Sequence, residues 1–299
     1  MATAALTATR AGSYREKQER TLGRFLVWPA AIWMVIFFAL PLLVVVAYSF
    51  MTPDRLIQAK LPFTLNNYAR IGQATYLSVL WRSVWVALVT TVITALIGYP
   101  LGFFIATRSR ASRNFFLLLI VIPFWTNFLV RTYAWLFILS ANGPINALVL
   151  DYLKLTSTPL EMINTPTAVL LGLIYGELPF MVLPIYTSIE KFNFRLVEAA
   201  YDLGANDWQT FWRVVLPQTL PGLVAGCILV FIPSIGAFVT PDLLGGAQGL
   251  MIGSQINDAV HSTTGKPFGA ALSLVLMGIV AIALLIYFRR ADQDAMSVG

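Results

Sequence analysis

Long apolar stretches separated by short polar ones organise the whole chain. Six of them reach the roughly 20 apolar residues that a helix needs to cross a bilayer core: about 25–50, 77–107, 114–139, 166–190, 218–240 and 269–288. The pattern predicts an all-α membrane protein with six transmembrane helices. Pro100 falls inside the second stretch, and Pro179 and Pro184 inside the fourth. Membrane helices accept such prolines because neighbouring helices and local adjustments satisfy the freed carbonyls. Three stretches carry glycines four apart: Gly98 and Gly102, Gly172 and Gly176, Gly222 and Gly226. That spacing lets helix backbones approach closely. It is also what a glycine-rich membrane helix shows by composition alone, and both readings stand at this point.

Composition strengthens the membrane reading. Hydrophobic residues make up 58% of the chain and charged residues 11%, against roughly 45–50% and about 25% in soluble domains. So few charges cannot cover a soluble surface. The basic residues also set a direction. Arg10, Arg15, Lys17, Arg20 and Arg24 precede the first stretch. Arg108, Arg110 and Arg113 follow the second, Lys191, Arg195 and Arg213 the fourth, and Arg289 and Arg290 the sixth. The opposite loops hold only Arg55, Lys60, Arg70, Lys154 and Lys266. By the positive-inside rule both termini are expected in the cytoplasm. The expected layout is a cytoplasmic tail at 1–24, a membrane domain at 25–288 and a second cytoplasmic tail at 289–299. The first apolar run is too long for a signal-peptide core and is read as a retained helix. The net charge of +6 then faces anionic lipid, so no nucleic acid is needed to explain it.

Candidate chemistry is sparse. The one cysteine, Cys227, and the one histidine, His261, leave no intrachain disulfide, no metal cluster and no convincing catalytic set. A phosphate-binding loop needs Gly, four residues, then Gly-Lys-Ser/Thr. The chain's one Gly-Lys pair, Gly265-Lys266, is followed by Pro267, and position 260 is Val. No ATP-binding motif is present, and no cofactor is expected on this chain.

The polar stretch from about 191 to 218 is different in kind. Residues 195–203 favour helix, with Leu196, Ala199, Ala200 and Leu203 on one face. Gly204 stands where a helix ends in a left-handed residue. Asn206 and Gln209 have the spacing of a capping box, and Asp207 suits the positive end of a helix dipole. Pro217 is expected to stop the second helix. Two short helices at a sharp corner follow, with Trp208, Phe211 and Trp212 as large apolar anchors for a partner.

Glu198-Ala199-Ala200, then Gly204, then Val214 and Leu216-Pro217 resemble the signature loop of the permease subunits of ABC importers. Ile122-Pro123-Phe124-Trp125, Val130 to Trp135, Leu178 to Pro184 and Phe238 to Gly246 resemble the spermidine/putrescine branch of that family. The resemblance runs from about Phe25 to Phe288. It implies a type I importer permease in the bacterial inner membrane, in which this loop docks on a cytoplasmic ATPase dimer that uses ATP and Mg²⁺. It also implies a second permease, homologous or another copy of this chain, and a solute-binding protein. The small-molecule substrate implied is a polyamine. Opine-like, phosphonate or amino-acid-like solutes remain open, as do a secondary transporter and a polytopic membrane enzyme.

Ionisable residues inside the spans are the remaining candidates. At ~1.5 Å per residue Arg131 lies roughly 25 Å from the cytoplasmic start of the third span, near the outer interface. There it can snorkel, and Arg82 at the outer end of the second reads the same way. Glu177 lies about 16–18 Å along the fourth span, near the midplane. It is either a waypoint for a cationic solute or a polar contact between helices. Tyr175, Trp125, Trp135 and Phe180 supply cation–π surface if they face the same space.

Overall fold

A computed structural model of the chain describes residues 27–54, 58–156 and 158–297. The expected tail at 1–24 lies outside them. Helix α1 spans Val27–Ser49. A two-stranded antiparallel hairpin follows, β1 (Met51–Asp54) and β2 (Gln58–Phe63). An ion pair of 2.6 Å between Lys60 and Asp54 ties its strands. This hairpin departs from the all-helical expectation, but it sits in a connection and leaves the membrane architecture helical. Then come α2 (Asn66–Ile71) and α3 (Ala74–Ala106).

The third apolar stretch is not one helix. It divides into α4 (Arg110–Trp125) and α5 (Phe128–Leu139). The physical reason is local. Asn127 turns its side chain back to accept from the backbone N–H groups of Leu129 and Val130, capping α5 in competition with helix continuation. The Thr126 hydroxyl donates to the Pro123 carbonyl at 2.6 Å. By length and hydropathy the third candidate span is Phe128–Leu150, not 114–139.

Helix α6 (Pro166–Glu190) follows, then α7 (Arg195–Asp202) and α8 (Asp207–Ile235). Here a second expectation fails. Pro217 does not stop a helix, because α8 runs through it into the fifth span. A wide turn at Phe211–Val215 makes this possible, with the Leu216 N–H donating to the Phe211 carbonyl. Such a turn shifts the upstream carbonyls out of α register, so a residue without an N–H fits next to it. The fifth span ends at Ile235 rather than near 240. Short helices α9 (Val239–Gly245) and α10 (Ile252–His261) lead to α11 (Lys266–Ser297), which carries its helix beyond the expected end at 288.

The core is a triangle of α3, α6 and α8. Met181, Ile185 and Ile189 of α6 are fully buried, packed with Tyr99 and Val230. The paired glycines make this approach possible. A Cβ on Gly98 would come within 2.7 Å of the Met181 side chain, and one on Gly102 within 2.9 Å of Ile185. Gly226 meets the Met181 sulfur at 2.7 Å in the same test. The spacing is therefore a packing device at these positions. Gly176 is the exception, with open space where its Cβ would be. Buried polar groups close the triangle, as Tyr99 and Thr219 share a hydroxyl–hydroxyl bond of 2.7 Å. Helix α1 stands apart, resting on α11 with none of its apolar span buried.

Candidate functional site

The membrane cavity is built where helices break. Three interruptions converge: Thr126–Asn127 between α4 and α5, Gly236–Phe238 between α8 and α9, and the small residues Gly172 and Gly176 on α6. Missing side chains and helix ends leave a space of about 510 Å³. Phe124, Phe128, Phe180 and Phe238 give it aromatic walls, and Thr126 and Thr240 add hydroxyls. Two charged residues line it, Glu177 and Arg131.

Glu177 projects from the middle of α6. Its Oε2 is buried and has no hydrogen-bond partner among the described residues. Arg131 belongs to the first turn of α5 and is held to one side. Its Nη1 donates to the Pro123 carbonyl at 3.5 Å, and its guanidinium lies 5.5 Å from the Phe128 ring centre and 5.9 Å from that of Tyr175. No ion pair within 4 Å joins Arg131 to Glu177 among the described residues, although both line the same cavity. The expected position of Arg131 was counted along one continuous third helix; that helix breaks at Thr126–Asn127, and Arg131 lines the cavity. Arg82 stays at the surface, donating to the Gln248 carbonyl at 3.0 Å.

The other candidates divide. Phe180 lines the cavity and meets Phe124 edge-on at 5.1 Å. Tyr175 and Trp135 pack edge-on at 5.5 Å outside the cavity lining, with Tyr175 facing the Arg131 guanidinium at 5.9 Å. Trp125 is 81% exposed and is not part of it. Phe128 and Phe238 were not singled out from the sequence. The signals there are nearness to Asn127 for Phe128, and for Phe238 nearness to Gly236 and its place at the start of the family-like stretch Phe238 to Gly246.

The second site is the corner between α7 and α8. Gly204 has φ +81°, a conformation that a side chain makes costly. Asn206 accepts from the Gln209 N–H at 2.8 Å, and the Gln209 side chain accepts from the Asn206 N–H at 3.2 Å. The Tyr201 hydroxyl donates to Asp207 Oδ1 at 3.0 Å, bridging the corner. This bond to a carboxylate holds the Tyr201 phenol above its ordinary pKa. Ala200 turns inward and is buried, while Glu198 and Ala199 face outward. Leu203 is 89% exposed, Trp208 70% and Trp212 49%. Phe211 behaves differently from its neighbours, packing edge-on to Tyr99 at 5.7 Å. Half-buried, it joins the corner to the core around Tyr99. Leu216 is half-buried against the same core, and Pro217 is exposed.

Residues 98–295 match the family model of the binding-protein-dependent transport system inner membrane component. The chain is 44% identical over 257 residues to the spermidine/putrescine transport system permease protein PotB of Salmonella typhimurium, covering 86% of this chain and 89% of that one. It is 43% identical to PotB of Escherichia coli, covering 86% and 93%. Its fold is similar to a subunit in the crystal structure of a bacterial ABC transporter involved in the import of alginate. There the TM-score is 0.68 and the identity 18%, covering 91% of this chain and 96% of that one.

Proposed function

Because the chain belongs to the binding-protein-dependent transport system inner membrane components, and so is the non-catalytic, multi-pass permease subunit of an ABC importer, we propose that its solute is a polyamine of the spermidine/putrescine class. The observation that carries this reading is the 44% identity to spermidine/putrescine permeases over 86% of the chain. The cavity chemistry supports it. A buried carboxylate beside four phenylalanine rings suits a chain of ammonium and methylene groups, with Coulomb attraction for the charge and apolar contact for the carbons.

In this reading Glu177 and Phe180 lie on the solute path. Tyr175 and Trp135 hold the wall behind Arg131. The corner from Glu198-Ala199-Ala200 through Gly204 to Leu216-Pro217 docks on a cytoplasmic ATPase dimer, which supplies ATP and Mg²⁺ chemistry that this chain lacks. Exposed Leu203, Trp208 and Trp212 are the side chains that enter the ATPase. A solute-binding protein delivers the polyamine from outside, and a second permease, homologous or a copy of this one, completes the pore. The apolar, unburied face of α1 is available for that neighbour and for lipid. Both termini face the cytoplasm.

The test is uptake by proteoliposomes that hold the complete complex and its binding protein. Labelled spermidine should accumulate only with internal ATP, and unlabelled putrescine should compete where sulfate and neutral amino acids do not. Uptake of an anionic or neutral solute with no polyamine uptake would overturn the assignment.

A further inference from the structure

The cavity holds one acid and one base that do not pair, and this is the least economical arrangement available to them. A carboxylate and a guanidinium sharing a low-dielectric space attract strongly and gain most from a two-point contact. Here the guanidinium lies beside the Pro123 carbonyl and the Phe128 and Tyr175 rings, and Glu177 Oε2 is buried without a hydrogen-bond partner among the described residues. Two local features accompany this arrangement. The α4–α5 break points the Pro123 carbonyl at Arg131, and Gly176, beside Glu177, leaves room where a side chain would stand.

We propose that Arg131 is an internal counter-charge to Glu177. It keeps the empty cavity electrically neutral and lowers the affinity of the bound cation, so that Arg131 sets how readily the solute leaves. This deepens the polyamine reading and rests on it for the identity of the cation. An unopposed buried carboxylate is costly while no solute is present. Once an ammonium group reaches the free oxygen of Glu177, the parked guanidinium repels it. A translocation site must bind well enough to admit its solute and weakly enough to release it.

Two measurements test this. The first needs no solute: the yield of assembled, detergent-stable complex for Arg131→Gln, Glu177→Gln and the double variant. Arg131→Gln should lower the yield severalfold, and adding Glu177→Gln should restore most of it, because the unopposed charge is gone. Independent, additive losses would overturn the counter-charge role whatever the solute is. The second is ATP-driven spermidine uptake per assembled complex. Arg131→Gln should lower KM by roughly threefold to tenfold and lower maximal uptake with it, as removing a repulsive charge from a low-dielectric cavity predicts. Arg131→Lys, which keeps the charge, should stay near wild type in KM. An unchanged or raised KM in Arg131→Gln would overturn the effect on release. If the wild type imports no polyamine at all, the proposed substrate falls, while the yield comparison still decides whether the two charges are coupled.

Discussion

Glu177 is the residue on which most depends. Glu177→Gln keeps the shape and removes the charge. Uptake of a cation, normalised to assembled complex, should fall by at least tenfold while basal ATP hydrolysis survives, because the ammonium then loses its charged partner in a low-dielectric space. Unchanged normalised uptake would take Glu177 off the solute path. Gly204 makes a different demand. With φ +81°, a β-branched side chain adds strain of about 1–2 kcal/mol. Gly204→Val should insert in the membrane normally yet lose copurifying ATPase. Normal copurification with normal coupled hydrolysis would speak against docking at this corner. Both residues are conspicuous in the sequence, one as an acid inside a span and the other as a glycine after a helix. The role of Arg131 is not, because it depends on a helix break that hydropathy does not register.

At the scale of elements, the second helix of the corner is continuous with the fifth span. The helix passes from Asp207 to Ile235 without stopping, so the proposed docking at Trp208 is joined by one helix to the break at Gly236 that lines the cavity. Trp208→Ala should leave folding intact, since the ring is largely exposed. It should weaken ATPase association by about 30-fold or more, the cost of truncating a central aromatic anchor. Unaltered affinity, measured by titrating the purified ATPase, would exclude Trp208 from the interface. Tyr201 adds a pH dependence. Its phenol is raised by the Asp207 bond, so the neutral form is favoured in the folded corner. The tie is fully present below the ordinary phenol pKa and is lost as pH rises through the raised value. Tyr201→Phe should abolish the alkaline loosening of this corner in hydrogen exchange. The capping box and the Gly204 turn are readable from residue type alone, because both are local bonds. The continuation through Pro217 is not. A widened turn upstream decides it, and a proline stop is the usual rule.

For the whole molecule, the arrangement predicts that both termini share one side of the membrane. Reporter fusions at Gly12 and Met296 should both report cytoplasm, and one near Leu155 the outside. Termini on opposite sides would remove the corner from the ATPase and sink the coupling scheme. The α3, α6 and α8 triangle should also be the last part to open, since the fully buried side chains of α6 concentrate there.

Six apolar stretches, the basic asymmetry and the corner motif were legible in the sequence. Each depends on composition or on bonds within a few residues: hydrocarbon thickness sets span length, and turn chemistry sets the caps. The family likeness of Glu198 to Pro217 is of the same local kind. What only the tertiary structure decided is which residues share a space. Glu177, Arg131, Phe124 and Phe238 come from four separate segments. They meet because glycines let α3, α6 and α8 close in, while helix breaks at Asn127 and Gly236 leave the gap unfilled. Trp125 lies in the same stretch as Phe124 and yet faces away, because the direction of a side chain on a membrane helix is set by what packs against that helix. Periodicity carries little of that information when every face is apolar.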